Sequence, residues 1–342
     1  MSIDDEFHDA EEDFQDATGT AYPELTKEIV HEILESPIPY ANDEEKETCQ
    51  RMVEELSPEE QTTAACTSYA YWFAMTTLEE EPSEQDTLKM ARREARRHLV
   101  ASAHDEQAAM DRLRACLQFR KERRLDLLRV MYSTSPSSSN NSQQLTPEEE
   151  GLQIKYRANI EEELKLRQPF FVRGKDRDNR AVAVRMGRQS SETNQEGYIT
   201  TMLYVAERAI AATEFHSRGT QEKVLGVMDF EGYSSSNAPP MWAIKESLSS
   251  LQNHYPERLK TAIITEPAFW MKATYNLLYP LMSEDTRDKV QMAYGEAKEE
   301  TIRKLIAPEQ AMPFMMPEAK LVSPFDADKF LNHVPFHCLY DD

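Results

Sequence analysis

Glycine is scarce in this chain, with 9 residues among 342, and no segment gathers them into a loop that could cradle phosphates. G-x-S-x-G, H-E-x-x-H and paired C-x-x-C are missing too, so the marks of a serine hydrolase, a zinc protease and a dithiol redox centre are absent. No run of 18 or more apolar residues occurs, which excludes a sequence-evident membrane-spanning helix. The opening residues are acidic where a secretory leader has a basic and then an apolar segment. Cys49, Cys66, Cys116 and Cys338 are scattered, which suits reduced thiols in the cytoplasm better than a disulfide framework. The C-terminus also lacks the cysteine, fourth from the end, that prenylation requires.

Basic charge is short as well, but locally. Residues 1–90 carry 25 acidic side chains against Lys27, Lys46, Arg51 and Lys89, a net of −21 in a chain that totals −22. The remainder is therefore close to neutral. The block from Asp4 to Asp16 repels itself and reads as a disordered acidic tail over 1–23: a solvated tail, or an arm that recruits a protein partner. Nucleic acid is not expected as a partner, because phosphate binding needs a concentrated basic face.

Past the tail, periodicity predicts helices at 24–36 and 43–56, and a third opened by Ser57-Pro58-Glu59-Glu60, which has the form of a capping box. These make an acidic helical extension over 24–80. The aromatic run Tyr69, Tyr71, Trp72 and Phe73 reads as a packed helix face or as a membrane-touching one. Residues 81–132 form an Arg-rich helical module with Leu88, Leu99, Met110, Leu113, Leu117, Leu125 and Leu128 inward. A Ser/Asn/Gln-rich linker follows over 133–146, too polar to order itself. Thr146-Pro147-Glu148-Glu149 then opens a helix reaching about 167.

From residue 169 strands and helices alternate. Strands are predicted at 170–172, 181–184, 224–228 and 261–265, with helices at 199–217, 240–253, 267–282 and 296–306. The first two strands form a hairpin, and the later, doubly apolar strands indicate a mainly parallel sheet covered by helices: an α/β domain over 147–320 with an antiparallel edge. Residues 321–342 are set apart as a C-terminal tail. His333, His337 and Cys338 have nominal metal spacing, but Pro335 breaks the helix that would align the two rings, and no metal is expected there. Asp229 and the serines at 234–236 read better as a strand end and a turn than as a hydrolase site.

Val224-Leu-Gly-Val-Met-Asp-Phe-Glu-Gly-Tyr233, Leu251-Gln-Asn-His-Tyr-Pro-Glu-Arg-Leu259, Ala262-Ile-Ile-Thr-Glu-Pro-Ala-Phe269 and Leu278-Tyr-Pro-Leu-Met-Ser-Glu-Asp-Thr-Arg-Asp-Lys-Val290 together resemble the CRAL-TRIO lipid-binding domain. Residues 85–131, with Phe119-Arg-Lys-Glu-Arg-Arg-Leu-Asp126, are similar to that family's helical N-terminal module. The order of four motifs at compatible spacings makes the likeness specific. It implies an αβα sandwich around a deep apolar pocket for one lipid, no catalysis, no cofactor, and a cytoplasmic protein that visits membrane surfaces transiently. It is closest to the phosphatidylinositol transfer branch.

Carried over residue by residue, the resemblance implies a headgroup set of Arg123, Glu257, Arg258, Thr286 and Lys289. These types suit an inositol phosphate, since Arg and Lys donate to phosphate while Glu and Thr bond hydroxyls. It further implies a gate over 267–282 whose apolar face is Phe269, Trp270, Leu277, Leu278, Leu281 and Met282. The chain departs from the family where a Leu-Pro and a Gly-Gly pair usually stand. Here Ile306 to Pro317 offers Pro313 and methionines instead, which puts the local backbone path and a second ligand mode in question. Three readings remain open: a phosphatidylinositol carrier, a carrier of a neutral tocopherol- or retinoid-like ligand, and a lipid-sensing adaptor whose acidic N-terminus recruits a partner. A hydrolase acting on lipids ranks last.

Overall fold

Side-chain caps start most of the helices, and those at Ser57 and Thr146 fall where the sequence places them. The computed structural model describes residues 22–132, 145–167, 170–187, 194–234, 240–269 and 271–340. The acidic opening block, nearly all of the Ser/Asn/Gln-rich linker and Trp270 lie outside the described residues. The first helices are α1 (Lys27–Glu35), α2 (Asp43–Glu54), α3 (Pro58–Ala65) and α4 (Tyr69–Thr77). At α3 the capping box is complete: the Glu60 amide donates to Ser57 Oγ at 3.3 Å and the Ser57 amide to Glu60 Oε2 at 2.8 Å. Two of the free amides of the first turn are thereby satisfied.

Next come α5 (Glu84–Ala101), α6 (Glu106–Glu122) and α7 (Leu125–Val130). Met52 and Val53 of α2 pack with Leu99 of α5 and Met110, Leu113 and Leu117 of α6 in one buried cluster. The acidic extension and the Arg-rich module therefore share a core across residue 80. Tyr69, Tyr71 and Trp72 are buried against Ala211 and Phe215, so the aromatic run is a packed face.

After α8 (Pro147–Glu161) and a π-helical turn at Glu162–Arg167 the chain enters the sheet. The order is β1 (Phe170–Lys175), β2 (Ala181–Met186), α9 (Gln195–Ser217), β3 (Val224–Asp229), α10 (Met241–His254), β4 (Leu259–Thr265), α11 (Met271–Leu278), a 3-10 turn at Tyr279–Leu281, α12 (Glu284–Lys289), β5 (Val290–Ala293), α13 (Gly295–Leu305), a second 3-10 turn at Pro308–Gln310, and α14 (Ala327–Asn332). The five strands lie side by side in sequence order, β1 antiparallel to β2 and the rest parallel. This is a mixed α/β fold with a mostly parallel sheet.

Three features differ from the sequence reading. The helix expected over 267–282 is two short pieces, and Pro280 marks the second. The strand β5 has four residues, too few for a periodicity signal; pairing from Ala262↔Val290 to Thr265↔Ala293 is what makes it a strand. Gly174 lies within β1 at φ +73°, where an added Cβ would fall 2.3 Å from the Gln310 carbonyl oxygen, so only glycine fits that close approach.

The third difference concerns residues 321–340, which do not trail off. Phe325 stacks on Phe171 of β1 at 4.1 Å, and Phe330, Leu331, Val334, Cys338 and Tyr340 are buried in the main core. Arg208 of α9 lies 3.8 Å over the Phe330 ring and donates to the carbonyls of Phe330 (2.7 Å) and Val334 (2.9 Å). Removing residues 321–342 would take away the carbonyl acceptors of that buried guanidinium and leave it the Tyr204 hydroxyl at 2.9 Å. Phe330→Ala is expected to cost about 3–5 kcal/mol, the range for a fully buried aromatic; urea unfolding of the full chain checks this, and a loss below about 1 kcal/mol would mean that the segment is only loosely attached.

Candidate functional site

A cavity of about 1580 Å³ opens between the sheet and the helices α9, α10 and α11. It exceeds the roughly 300–1,000 Å³ of ordinary small-molecule clefts. Its size follows from strand alternation, because every second residue of a strand faces the same side. Ala183, Gly226, Ala262 and Val290 stand in register across β2 to β5 and line the cavity; Arg185, Met228, Ile264 and Met292 form the next row. In the first row, Ala183, Gly226 and Ala262 carry at most a methyl group. The intervening Val182, Leu225, Val227 and Ile263 are fully buried in the core. Small side chains recur on the helix side, where Ala206 and Ala209 of α9 face the same space alongside Met202 and Val205.

One end of the cavity is polar. Glu257 and Arg258, just before β4, line it together with Asp285, Thr286 and Lys289 of α12. Glu257 takes a left-handed φ of +57°, an unfavourable conformation for a residue with a Cβ. In that turn its carboxylate meets Lys223 at 2.5 Å and Lys289 at 3.6 Å. Lys289 is also paired with Asp285. Thr286 Oγ1 is 2.8 Å from Ser283 Oγ in the first turn of α12.

Arg258 is more deeply set. Its Nη1 donates to the Glu222 carbonyl at 3.2 Å, and burial, reinforced by the neighbouring Arg97, lowers its pKa to about 10. Arg123 stands apart from the other four. It caps α6, reaches Glu246 at 3.6 Å and lies over Phe119, and it is not among the residues lining the cavity.

The apolar residues of the expected gate divide by orientation. Leu278, Leu281 and Met282 line the cavity, joined by Met271 and Tyr275. Phe269 is 92% exposed and Leu277 59%, so these two face outward. Trp270 lies outside the described residues. The segment from 306 to 317 contributes nothing to the cavity; Met315 and Met316 are instead buried in the core.

Among the described residues one cluster has the spacing of a metal site. Glu94, His98 and Cys116 are buried, with ligand atoms all within 4.8 Å of one another. Glu94, however, is already paired with Arg97 and accepts from Thr67 at 2.9 Å. Burial, with Glu94 nearby, pushes the Cys116 thiol up to about 12, so it stays protonated and is a poor metal ligand. His337 is buried 3.0 Å from the Pro23 carbonyl, and burial lowers its pKa to about 4; His333 faces Asp328 instead.

Sequence reasoning missed the row of small residues, and it missed Arg185. Its only signal was a lone charge inside the apolar strand Ala181–Met186.

The five-stranded, mostly parallel sheet thus lies against a large, mainly apolar cavity with the Glu257–Lys289 cluster at one end. Residues 167–315 match the CRAL/TRIO domain. The chain is 24% identical over 151 residues to Patellin-5 of Arabidopsis thaliana, covering 41% of this chain and 22% of the relative. It is 28% identical over 108 residues to the phosphatidylinositol transfer protein PDR17 of Saccharomyces cerevisiae, covering 30% of this chain and 29% of the relative. The chain thus spans about a quarter of the length of these curated relatives. The crystal structure of Sfh5 shares the fold, with a TM-score of 0.51 at 14% identity over 78% of this chain and 84% of that one. Among the described residues no helix is long and apolar enough to cross a membrane.

Proposed function

We propose that the protein binds one phospholipid in this cavity, without catalysing a reaction on it, and moves or presents it between membranes, and that the preferred lipid is phosphatidylinositol. The observation that carries the reading is the cavity itself: an apolar space far larger than a metabolite cleft, with Glu257, Thr286 and Lys289 together at one end. The acyl chains would lie on the small-residue row. Each buried CH₂ is worth about 0.8 kcal/mol, so a ~16-carbon chain released into water would lose on the order of 13 kcal/mol. Exchange therefore takes place with the mouth pressed to a bilayer. The outward-facing Phe269 and Leu277, beside the exposed Tyr279, suit that transient contact.

At the polar end, Lys289 donates to the phosphate while Glu257 and Thr286 bond inositol hydroxyls. Phosphate would replace Asp285 as the partner of Lys289, with Glu257 retaining Lys223. Relative PDR17 is named a phosphatidylinositol transfer protein, which supports the same lipid here. Lys289→Ala combined with Glu257→Ala is expected to lower phosphatidylinositol recovered with the purified protein about tenfold, a loss of ~1.4 kcal/mol. Lipid extraction and mass spectrometry of the two proteins measure it. A stoichiometric neutral isoprenoid in the unmodified protein would reject the headgroup assignment.

A further inference from the structure

We propose that the far end of the cavity is a second polar pole, built on Arg185, that receives the acid group of an anionic lipid. Arg185 faces the cavity from β2, and its guanidinium is ringed by Phe170 at 5.3 Å, Phe230 at 5.5 Å and Tyr198 at 5.8 Å. Its side chain makes no ion pair or hydrogen bond with any described residue, and its Nε is buried without a partner. A guanidinium cannot escape this by losing its proton. The ring faces offset part of the desolvation, as cation–π contacts do, but rings accept no in-plane hydrogen bond, so the half-buried guanidinium keeps its Nε without an acceptor and no counterion among the described residues. An unpaired charge beside an apolar space is expensive unless an anion joins it.

This pole is separate from the one at Glu257 and Lys289. Arg185 shares its row with Met228, Ile264 and Met292, and Lys289 is three residues before Met292, at the start of β5, three strands across from β2. At ~3.3 Å per residue and ~4.8 Å per strand that is roughly 17 Å, too far for a single headgroup to engage both. The surroundings also select the ligand. A choline head would meet a like charge. A polyol would lose water to Phe170 and Phe230, which offer it no hydrogen bonds. A bare acid group, carboxylate or phosphate, meets the guanidinium fork in the geometry it favours. The inference rests on the cavity being a lipid site and adds the lipid class that this end would hold.

The test incubates the full chain with vesicles of phosphatidylcholine containing phosphatidylinositol, phosphatidic acid and oleic acid, then re-isolates the protein and quantifies its lipids by mass spectrometry. The unmodified protein should take up phosphatidic acid or oleic acid in preference to phosphatidylcholine, and the class recovered says whether phosphate or carboxylate is bound. Arg185→Leu should reduce that preference about tenfold, while Arg185→Lys, which keeps the charge, should retain most of it. The melting temperature of each variant shows that it is folded. An unchanged acidic-to-choline ratio in Arg185→Leu overturns the proposal. So does an equal loss of every lipid, phosphatidylinositol included, which would make Arg185 a structural residue. Uptake of phosphatidylinositol and phosphatidylcholine alone by the unmodified protein overturns this proposal but not the lipid-carrier reading. Uptake of no lipid at all overturns both.

Discussion

Gly226→Phe is expected to abolish lipid loading while leaving the fold standing. Gly226 is in β3, in the row that lines the cavity, and an added Cβ there would meet the Cα and Cβ of Ala262 at 3.6 Å and the Thr261 carbonyl oxygen at 3.7 Å, ordinary contacts. The rest of a phenyl ring has nowhere to go but the cavity. Glycine weakens a strand interior and phenylalanine favours one, so the backbone should not oppose the change. The ring would also bury apolar area, and the melting temperature should hold or rise. Lipid recovered with the protein should fall at least about tenfold, because displaced methylenes are worth about 0.8 kcal/mol each. The measurement is extraction and mass spectrometry alongside thermal unfolding. Full loading in a folded variant would show that the cargo does not lie on this row. Unfolding would show that the row is part of the core and not the wall of a cavity.

The largest effect on stability is expected at Glu207. This carboxylate on α9 is buried, receives Arg120 of α6 at 2.9 Å and Arg129 of α7 at 2.6 Å, and accepts from the Tyr255 hydroxyl at 2.8 Å. It joins the helical module to the lipid domain. Burial alone would push its pKa up from 4.5, but the attraction of Arg120 and Arg129 outweighs burial and brings it to about 2.

A carboxylate depressed in this way contributes stability that is complete above pH 4.5 and is lost as the pH falls through about 2. The shift corresponds to about 3 kcal/mol. Glu207→Gln should cost about 3–5 kcal/mol at neutral pH, because it leaves two guanidinium groups buried without their counterion. It should also flatten the decline of stability between pH 4.5 and 2, which urea titrations across that range would detect. A variant as stable as the parent, with the same acid profile, would mean that solvent reaches the cluster and that the pair carries little energy.

The helices were legible where a local signal sets them. The capping boxes at Ser57 and Thr146 need only three neighbouring residues, and both are formed as read. The parallel strands β3 and β4 are continuous apolar runs, and they too lie where the sequence puts them. The strand β5 and the buried 321–340 segment were not legible. A four-residue strand and a Phe-rich stretch broken by prolines have no periodicity of their own, and both are defined by partners distant in sequence.

The likeness to the CRAL-TRIO family nominated the polar residues. Of these, Glu257, Arg258, Thr286 and Lys289 come to one end of the cavity, whereas Arg123 caps α6 away from it. No residue pattern distinguishes an arginine that lines a cavity from one that caps a helix, since both are basic side chains among charged neighbours. The division of the gate, with Leu278 inward and Leu277 outward, likewise depends on how a broken helix meets the sheet.

The sequence by itself determined the class of fold, the parallel sheet, most of the helix starts and the concentration of acidic charge before residue 90. Those properties are fixed by composition and by contacts within a few residues. Only the tertiary structure decided that Ala183, Gly226 and Ala262 stand side by side and leave a hollow, and that Arg185 faces into it among three rings. A cavity is made by the register of several strands against several helices, so no single segment records it.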